Sequence, residues 1–317
     1  MDFEANISQV IKSYGFVDDF KIHKLRSVYK VSSHKKDFLI KKFNSKTKLL
    51  NTKKILNHLS YNNFKNVQRM YYNLNNEFYF EIDEKFYACF SWINGREVNI
   101  KNHREVKKCT KIIYLFHEAL KNTRDDSIIL KDESNWIEKF ENDILNLYHI
   151  KDKLHRKSSL CLIDKFYYEN IERSVEIITK IIDELIRYGF KDFYEDNKII
   201  CHNSLYYQNF ILNNNGKVYL IDFGGLVLNN RIYDVARFAR RVFYKNNFKF
   251  RVLNDIYENY NNYYKFSKFE EMLFKNHLKY PYKFVRLGQK FYIKNKDISE
   301  DKLLEKLKKY SDYELKL

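Results

Sequence analysis

The hydrophobic pattern of this chain changes near residue 94, and that change restricts the possible folds more than any other feature. The first hundred residues contain short apolar or alternating runs that are typical of strands. These runs lie at 28–31, 38–43, 77–82 and 86–93. A stretch with leucines on one side predicts a helix over about 46–61, between the second and third runs. Asn94-Gly95 then breaks the last strand, as a turn or hinge would.

Beyond this break the chain is predominantly helical. Apolar residues over 171–185 recur at alternating steps of four and three, which predicts an amphipathic helix, and Gly189 follows as a stop signal. The last residues, from Asp297 on, show a narrow apolar stripe that predicts an amphipathic helix. Packing on the helical part is the favoured interpretation, and docking onto another protein is the alternative.

One β-rich patch interrupts the helices. Its strand-like runs lie at 198–202, 210–212 and 218–222. The Asn215-Gly216 pair between the last two runs predicts a hairpin. The order of elements therefore predicts a small β-rich lobe over 1–93 and a large helical lobe over 94–317 that carries the hairpin.

Composition narrows the function. The 317 residues include 58 basic and 41 acidic ones, a formal charge of +17 that is spread along the chain without a recognised nucleic-acid-binding motif. Solubility and non-specific attraction to anions explain this charge better than a specific nucleic-acid site. No apolar run reaches the roughly 18 residues that span a bilayer, and the start lacks a signal-peptide pattern. The sequence predicts a soluble, cytoplasmic chain without a membrane span.

The four cysteines predict neither a metal site nor a disulfide framework. They stand far apart in the sequence and form no Cys-x-x-Cys pair. Buried small hydrophobic residues are the favoured interpretation. Their positions are Cys89, Cys109, Cys161 and Cys201.

The chemically most informative segment runs over 202–209 and is followed thirteen residues later by Asp222-Phe223-Gly224. Kinase-type phosphotransferases use H-x-D-x-x-x-x-N and then Asp-Phe-Gly or a related motif. There the first Asp orients and deprotonates the acceptor hydroxyl, while the Asn and the later Asp hold Mg²⁺ against the nucleotide phosphates. His202, Asn209 and Asp222 occupy matching positions, but Ser204 stands where the base is expected.

Each part of this motif has a plainer interpretation. A single Asp-Phe-Gly is most often a turn, and Asn209 alone is typical of a turn or a strand end. The combination lies in a predicted hairpin, after a β-rich lobe and a hinge. That context favours the kinase-type interpretation.

With these motifs the chain resembles the CotS-type spore coat proteins, which are similar to aminoglycoside and choline phosphotransferases. The resemblance covers nearly the whole length, and its last piece contains the single proline, Pro281. The matching pieces lie at 38–41, 91–97, 116–119, 201–209, 219–223, 233–238 with Arg240 and Arg241, and 280–284. The resemblance implies an α+β, protein-kinase-like fold of the aminoglycoside phosphotransferase type, with a small β-rich N-terminal lobe and a large helical C-terminal lobe.

The resemblance also implies roles for individual residues. Lys41 is similar to the strand lysine that binds the nucleotide phosphates, with Lys42 as a rival, because strand alternation turns only one of them into the cleft. No acidic residue lies between Asp37 and Glu77, so the usual ion pair of this lysine with a helix glutamate cannot form in that segment. The segment 25–29 also lacks the glycines of a phosphate-binding loop.

Two features of the later helix leave alternatives open. Asp234 matches the aspartate that supports the loop around His202, and its alternative is an exposed residue near a helix N-terminus. Arg240 and Arg241 could bind an anion or pair with acidic residues of the large lobe, and pairing is the favoured interpretation.

Together these features predict a catalytically impaired member of the family. Loss of a general base slows a reaction by about 10²–10⁴-fold without forbidding it. Three departures coincide here, since the base, the helix glutamate and the glycine loop are all missing. The resemblance implies a pseudokinase-like protein that is made in the mother-cell cytoplasm and acts in coat assembly with other coat proteins. ATP and Mg²⁺ are the implied cofactors, bound through Lys41, Asn209 and Asp222.

Two other functions stay open. The first is an active ATP- and Mg²⁺-dependent phosphotransferase that acts on a small hydroxyl- or amine-bearing substrate, with Ser204 bypassed or the reaction assisted by the substrate. The second, less favoured, is a basic nucleic-acid-binding module. Because any strongly basic protein retains nucleic acid non-specifically, only binding that is selective for a nucleic-acid sequence or structure would be evidence for this function.

Overall fold

The computed structural model describes residues 3–16, 20–34, 36–133 and 135–314. They form two compact units. The first unit comprises the chain up to residue 131 together with 199–227, and the second comprises 132–198 with the chain from 228 on. The predicted division into lobes at residues 93 and 94 stays a prediction. No helix in these described ranges is long and apolar enough to cross a membrane.

The helices and strands of the described residues alternate along the chain, and their bounds are as follows. In chain order they are α1 (Phe3–Ser13), β1 (Phe20–Leu25), β2 (Val28–Ser33), β3 (Asp37–Phe43), α2 (Lys46–Tyr61), β4 (Phe80–Ile82), β5 (Lys85–Ser91), β6 (Gly95–Glu97), α3 (His103–Leu120), β7 (Lys131–Asp132), α4 (Trp136–His155), α5 (Leu162–Arg187), α6 (Phe190–Asn197), β8 (Lys198–Cys201), β9 (Phe210–Asn213), β10 (Val218–Leu220), β11 (Val227–Asn230), α7 (Arg231–Lys245), α8 (Arg251–Asn261), α9 (Lys268–Lys279), α10 (Tyr282–Gly288) and α11 (Glu300–Glu314).

A five-stranded antiparallel sheet in the order β1-β2-β3-β5-β4 organises the first unit. Helix α1 packs apolar side chains such as Ile7 and Ile11 against Ile40 of β3 and Cys89 of β5, and all four are buried. Because side chains alternate along a strand, Lys41 points to the sheet face opposite this core. Each of the four strand-like runs contains a strand of this sheet, although the run at 77–82 forms one only over Phe80–Ile82.

Helix α2 begins and ends where the sequence predicted, over Lys46–Tyr61. The Ser45 hydroxyl caps its start by accepting a hydrogen bond from the Lys48 N–H at 3.3 Å. The predicted leucine side is buried, including Leu49 and Leu59. Thr52, also buried, donates its hydroxyl to the Lys48 carbonyl at 2.8 Å and lies 3.4 Å from the Phe223 carbonyl. This helix therefore contacts the turn that follows Asp222.

The predicted hairpin is confirmed as β9 and β10, with Phe210 paired to Leu220. Strand β6 adds to it, with Gly95 opposite Asn213. A Cβ on Gly95 would lie 2.2 Å from the Leu212 carbonyl oxygen and 2.8 Å from the Asn213 Cα. The glycine that the sequence marks as a break is thus required because two backbones approach closely.

We expect Gly95→Ala to destabilise the protein by about 3 kcal/mol, since the added methyl group overlaps backbone atoms that cannot move aside without separating β6 from β9. Urea unfolding followed by circular dichroism measures this loss. Gly189→Ala is the matched control, because a Cβ on Gly189 meets no atom within 4 Å and only its φ of +67° opposes the change, at about 1 kcal/mol. Equal costs at both glycines would contradict the close-approach argument.

The second unit is helical apart from short strands. Helix α5, Leu162–Arg187, contains the predicted stripe and is followed by Gly189 in the left-handed conformation. Helix α11 packs on α5 and α10, and its Leu303 and Leu307 are fully buried. The predicted docking of the C-terminal stripe on the helical part is confirmed within this unit.

Candidate functional site

A cleft of about 990 Å³ lies in the first unit and contains most of the chemistry that the sequence singled out. Strands β2 and β3, the segment around β6 and the loop that follows β8 supply its walls. Four cations and two carboxylates line it, so its charge favours an anionic ligand. The charged lining residues are Lys24, Arg26, Lys41, Arg96, Glu97 and Asp222.

Lys41, and not its neighbour Lys42, lines this cleft. Its ammonium forms an ion pair and hydrogen bond with Oδ1 of Asp222, and its side chain is 18% exposed. An ammonium on the floor of the cleft, close to the Gly224 backbone, can reach a phosphate there. The strand lysine and the aspartate of the Asp-Phe-Gly motif therefore meet directly.

Asp222 follows strand β10 and has a left-handed backbone conformation, with φ of +69°. Burial is the largest single influence on the pKa of its carboxyl group and raises it, but the charge and hydrogen bond of the Lys41 ammonium, together with other nearby groups, outweigh burial, so the net pKa lies below the usual value. The side chain keeps 46% of its surface exposed. Asp222 is thus an ionised carboxylate that faces the cleft.

His202 holds the loop that precedes Asn209. Its ring is fully buried and lies between the rings of Phe116 and Phe223, at centroid distances of 5.8 and 5.1 Å. Nε2 lies 3.1 Å from the Ile221 carbonyl oxygen, and Nδ1 accepts a hydrogen bond from the Ser204 N–H at 3.3 Å. These contacts fit a neutral imidazole that donates from Nε2 and positions the backbone of residue 204.

Ser204 and Asn209 line the cleft beside Asp222. The Asn209 side-chain amide donates a hydrogen bond to the Ser204 carbonyl at 2.7 Å. Its Oδ1 takes no part in this bond and can accept from, or bind, another group. The Asn209 carbonyl also accepts from the Ile221 N–H at 3.0 Å, so the loop is joined to the residue before Asp222. A Cβ on Gly225 would lie 2.5 Å from the Ser204 hydroxyl, so glycine is needed beside it.

A second ion pair in the cleft joins Arg26 to Glu97 at 3.2 Å. Arg26 belongs to the two-residue turn between β1 and β2 and has φ of +51°, a conformation that glycine adopts more readily. This turn occupies the segment where the sequence lacks a glycine loop. Sequence reasoning did not find either residue, because no motif marks an ion pair between positions 71 residues apart.

Asp234 lies in the second unit, in the first turn of α7, and is 1% exposed. The alternative of an exposed helix residue is therefore wrong, because the side chain has almost no contact with solvent. Asn230 caps this helix by accepting a hydrogen bond from the Ile232 N–H at 2.8 Å. The supporting role of Asp234 stays a prediction.

Comparison with solved structures defines the class of fold. An aminoglycoside phosphotransferase from Alicyclobacillus acidocaldarius subsp. acidocaldarius matches with a TM-score of 0.84 and 16% identity, over 97% of this chain and 92% of that one. Spectinomycin phosphotransferase in complex with ADP and spectinomycin gives 0.70 and 15%, over 98% and 94%. Choline kinase LicA from Streptococcus pneumoniae gives 0.59 and 15%, over 98% and 99%. The chain has the aminoglycoside phosphotransferase-like fold that the sequence predicted.

The family follows from a second comparison. The family described as "Spore coat putative kinase YutH" matches residues 8–316. The chain belongs to this spore coat kinase family, and the resemblance drawn from the motifs is confirmed. No curated protein sequence matches the chain.

Proposed function

We propose that this spore coat family member binds ATP with Mg²⁺ in the cleft of the first unit, transfers phosphate poorly or not at all, and acts in coat assembly. The proposal rests on the side chains that line the cleft around Ser204. Lys41, Asn209 and Asp222 are together there, while the position of the catalytic base holds a hydroxyl group.

The donor groups fit the proposed ligands. Mg²⁺ prefers carboxylate and carbonyl oxygens, and the Asp222 carboxylate and the Asn209 Oδ1 supply one of each. The Lys41 ammonium would bind the nucleotide phosphates. When bound, the metal would neutralise phosphate charge, which is the main electrostatic requirement of phosphoryl transfer. A structural neighbour of this chain, spectinomycin phosphotransferase, was solved with ADP.

The impairment follows from how the carboxylates of the cleft are used. Among the described residues that line it, Asp222 and Glu97 carry the two carboxylates. Asp222 pairs with Lys41 and Glu97 with Arg26 at 3.2 Å. A serine hydroxyl at pH 7 is a poor base without a partner that takes its proton. Binding is therefore supported better than catalysis.

The assembly role rests on membership of the family, which is described as a spore coat family. We propose other coat proteins as partners and the coat as the final location, after synthesis in the mother cell. An impaired site fits a protein whose folded shape, with or without bound nucleotide, is what its partners recognise.

An active phosphotransferase is the second candidate. Its support is that Lys41, Asn209 and Asp222 are all retained and that the structural neighbours are phosphotransferases. Under this alternative a small hydroxyl- or amine-bearing molecule is the substrate, and its own groups handle the proton that Ser204 cannot.

Calorimetric titration of the protein with ATP, in the presence and absence of Mg²⁺, tests the first half of the proposal. We expect binding in the micromolar range that depends on Mg²⁺. A coupled assay then measures ATP turnover by the same sample. Active kinases turn over at about 1–100 s⁻¹, so loss of the base predicts a rate between about 10⁻⁴ and 1 s⁻¹.

The outcomes separate the candidates. Binding with negligible turnover supports the impaired protein, whereas turnover of several per second establishes the active phosphotransferase. Absence of binding at millimolar ATP would contradict both and would leave the fold as a scaffold alone. Location is tested separately, by asking whether a tagged protein is recovered in the coat fraction of purified spores.

A further inference from the structure

Arg240 in helix α7 is a buried cation that pairs with no acidic residue in the described part of the chain. The residue is only 5% exposed to solvent. Its Nε and Nη2 atoms form no hydrogen bond with any described residue. The favoured interpretation of the sequence, pairing with acidic residues of the large lobe, is therefore wrong for this arginine. Nε and Nη2 lie on one edge of the guanidinium group, and that edge matches two oxygens of a phosphate or carboxylate.

A second buried polar group lies nearby on α9, which packs against α7. His277 is 9% exposed, and its Nε2 also has no partner among the residues that the structure describes. The ring is held between Trp136 and Tyr233, at centroid distances of 5.4 and 5.7 Å. Burial first, and then the charge of Arg240, keep the pKa of His277 well below its usual value, so the imidazole is neutral.

Further cations surround this histidine. Lys139, Arg237 and Arg241 all act on it electrostatically together with Arg240. Two acidic residues, Glu133 and Asp143, lie close enough to influence Lys139. The Asp143 carboxylate already accepts hydrogen bonds from the Tyr280 hydroxyl and from Gln289, the latter at 2.6 Å. Four cations and two carboxylates therefore lie in this neighbourhood, and Asp143 is already engaged by neutral donors.

We propose that Arg240, His277 and the cations around them form a binding site in the second unit for the phosphate group of a small molecule. The open edge of Arg240 supplies two parallel donors, and the surrounding charge favours a dianion over a carboxylate. This site is distinct from the cleft of the first unit, shares no residue with it and does not depend on the proposed function.

The phosphate approaches from the solvent side of the cluster. Lys139 is exposed there, and Arg237 and Arg241 are half-buried. The ring of Tyr282, also half-buried, has its centroid 5.2 Å from the Arg240 guanidinium carbon and is bound by Arg286 through its hydroxyl at 2.7 Å. Because the free edge is shielded from solvent, side chains beside it must move before a phosphate can reach Arg240.

An unpaired buried guanidinium lowers stability, because its lost hydration is not replaced. The free energy of unfolding of a protein with such a site is therefore lower when no ligand is bound. Arg240→Met keeps the length and apolar stem of the side chain and removes the charge. The variant should therefore be as stable as the native protein, or more stable, in phosphate-free Tris buffer, and should not respond to phosphate.

Thermal unfolding of the full chain, with inorganic phosphate as the probe, tests the site. Native protein, Arg240→Met and the control Arg251→Met are compared in 10 mM phosphate, 10 mM acetate and chloride at equal ionic strength. Arg251 has a 90% exposed side chain in the same unit. Phosphate at about 100 times its Kd should raise the unfolding midpoint of native protein and control by about 5 °C. Arg240→Met should lose this rise.

The comparison of the two variants is decisive, because phosphate that binds in the cleft of the first unit stabilises both equally. An equal rise in Arg240→Met and Arg251→Met would overturn the proposal, as would no rise in the native protein. An equal response to acetate would overturn the assignment to phosphate. If Arg240→Met fails to fold, Arg240→Lys takes its place, since it keeps the charge and loses the two-donor edge; it should lose most of the rise.

Discussion

Replacing Asp222 with alanine is expected to remove Mg²⁺-dependent ATP binding and to weaken the affinity by at least about 100-fold, or about 2.7 kcal/mol. The carboxylate is the one anionic metal ligand of the proposed site, and its lowered pKa keeps it ionised at neutral pH. Calorimetric titration with ATP and Mg²⁺ measures the loss directly.

Because Lys41 and Asp222 form an ion pair, the same substitution is expected to have the opposite effect on ATP binding in the absence of Mg²⁺. In the native protein the Asp222 carboxylate partly neutralises the Lys41 ammonium. Without the carboxylate the ammonium is available to phosphate alone, so weak metal-free ATP binding should persist or become tighter in Asp222→Ala. A variant that merely unfolds would lose both kinds of binding.

Asp126→Ala serves as the matched control, because this aspartate is exposed in the same unit and does not line the cleft. It should bind ATP and Mg²⁺ like the native protein. Unchanged Mg²⁺-dependent affinity in Asp222→Ala would contradict the proposed metal site. An equal loss of affinity in Asp222→Ala and Asp126→Ala would also contradict it, because the net charge of the protein, and not a metal ligand, would then explain the loss.

Periodicity and spacing predicted much of the fold, because those signals are local. Helix α2 and the β9–β10 hairpin could be located from apolar spacing and an Asn-Gly pair. Helix α1 was not predicted, although its apolar residues at 7, 10, 11 and 14 follow helical spacing and form part of the core. Strand β1 gave a weaker signal, since its side chains are mostly exposed and it lies at the sheet edge.

The candidate site was only partly predictable, because its defining contacts join distant residues. The motif identified Asp222, and the sequence left Lys41 and Lys42 as rivals, of which strand alternation turns only one into the cleft. Their direct ion pair joins positions 181 residues apart, which no local pattern reveals. Buried Arg240 shows the same limit: pairing with acidic residues was the favoured interpretation, and packing left its Nε and Nη2 without a hydrogen-bond partner among the described residues.

The second large effect is expected from Ser204→Asp, which should raise ATP turnover by about 10²–10⁴-fold, the usual contribution of a general base. The backbone that would present the new carboxylate is already held, since the Ser204 N–H donates to His202 and its carbonyl accepts from Asn209. Neither bond involves the side chain. The Ser204 hydroxyl already fills the place that a Cβ on Gly225 would take, so the longer aspartate must extend into the cleft that residue 204 lines.

Ser204→Asn is the matched control, because asparagine has the size of aspartate and cannot act as a base at neutral pH. Hydrolysis of ATP in the presence of Mg²⁺ is measured for both variants and for Ser204→Asp combined with Asp222→Ala. We expect the gain in Ser204→Asp alone, since a base accelerates transfer only when the nucleotide and metal are held. If Ser204→Asp binds ATP with native affinity and still shows no gain, the missing base is not what limits this site, and the missing helix glutamate and glycine loop become the cause.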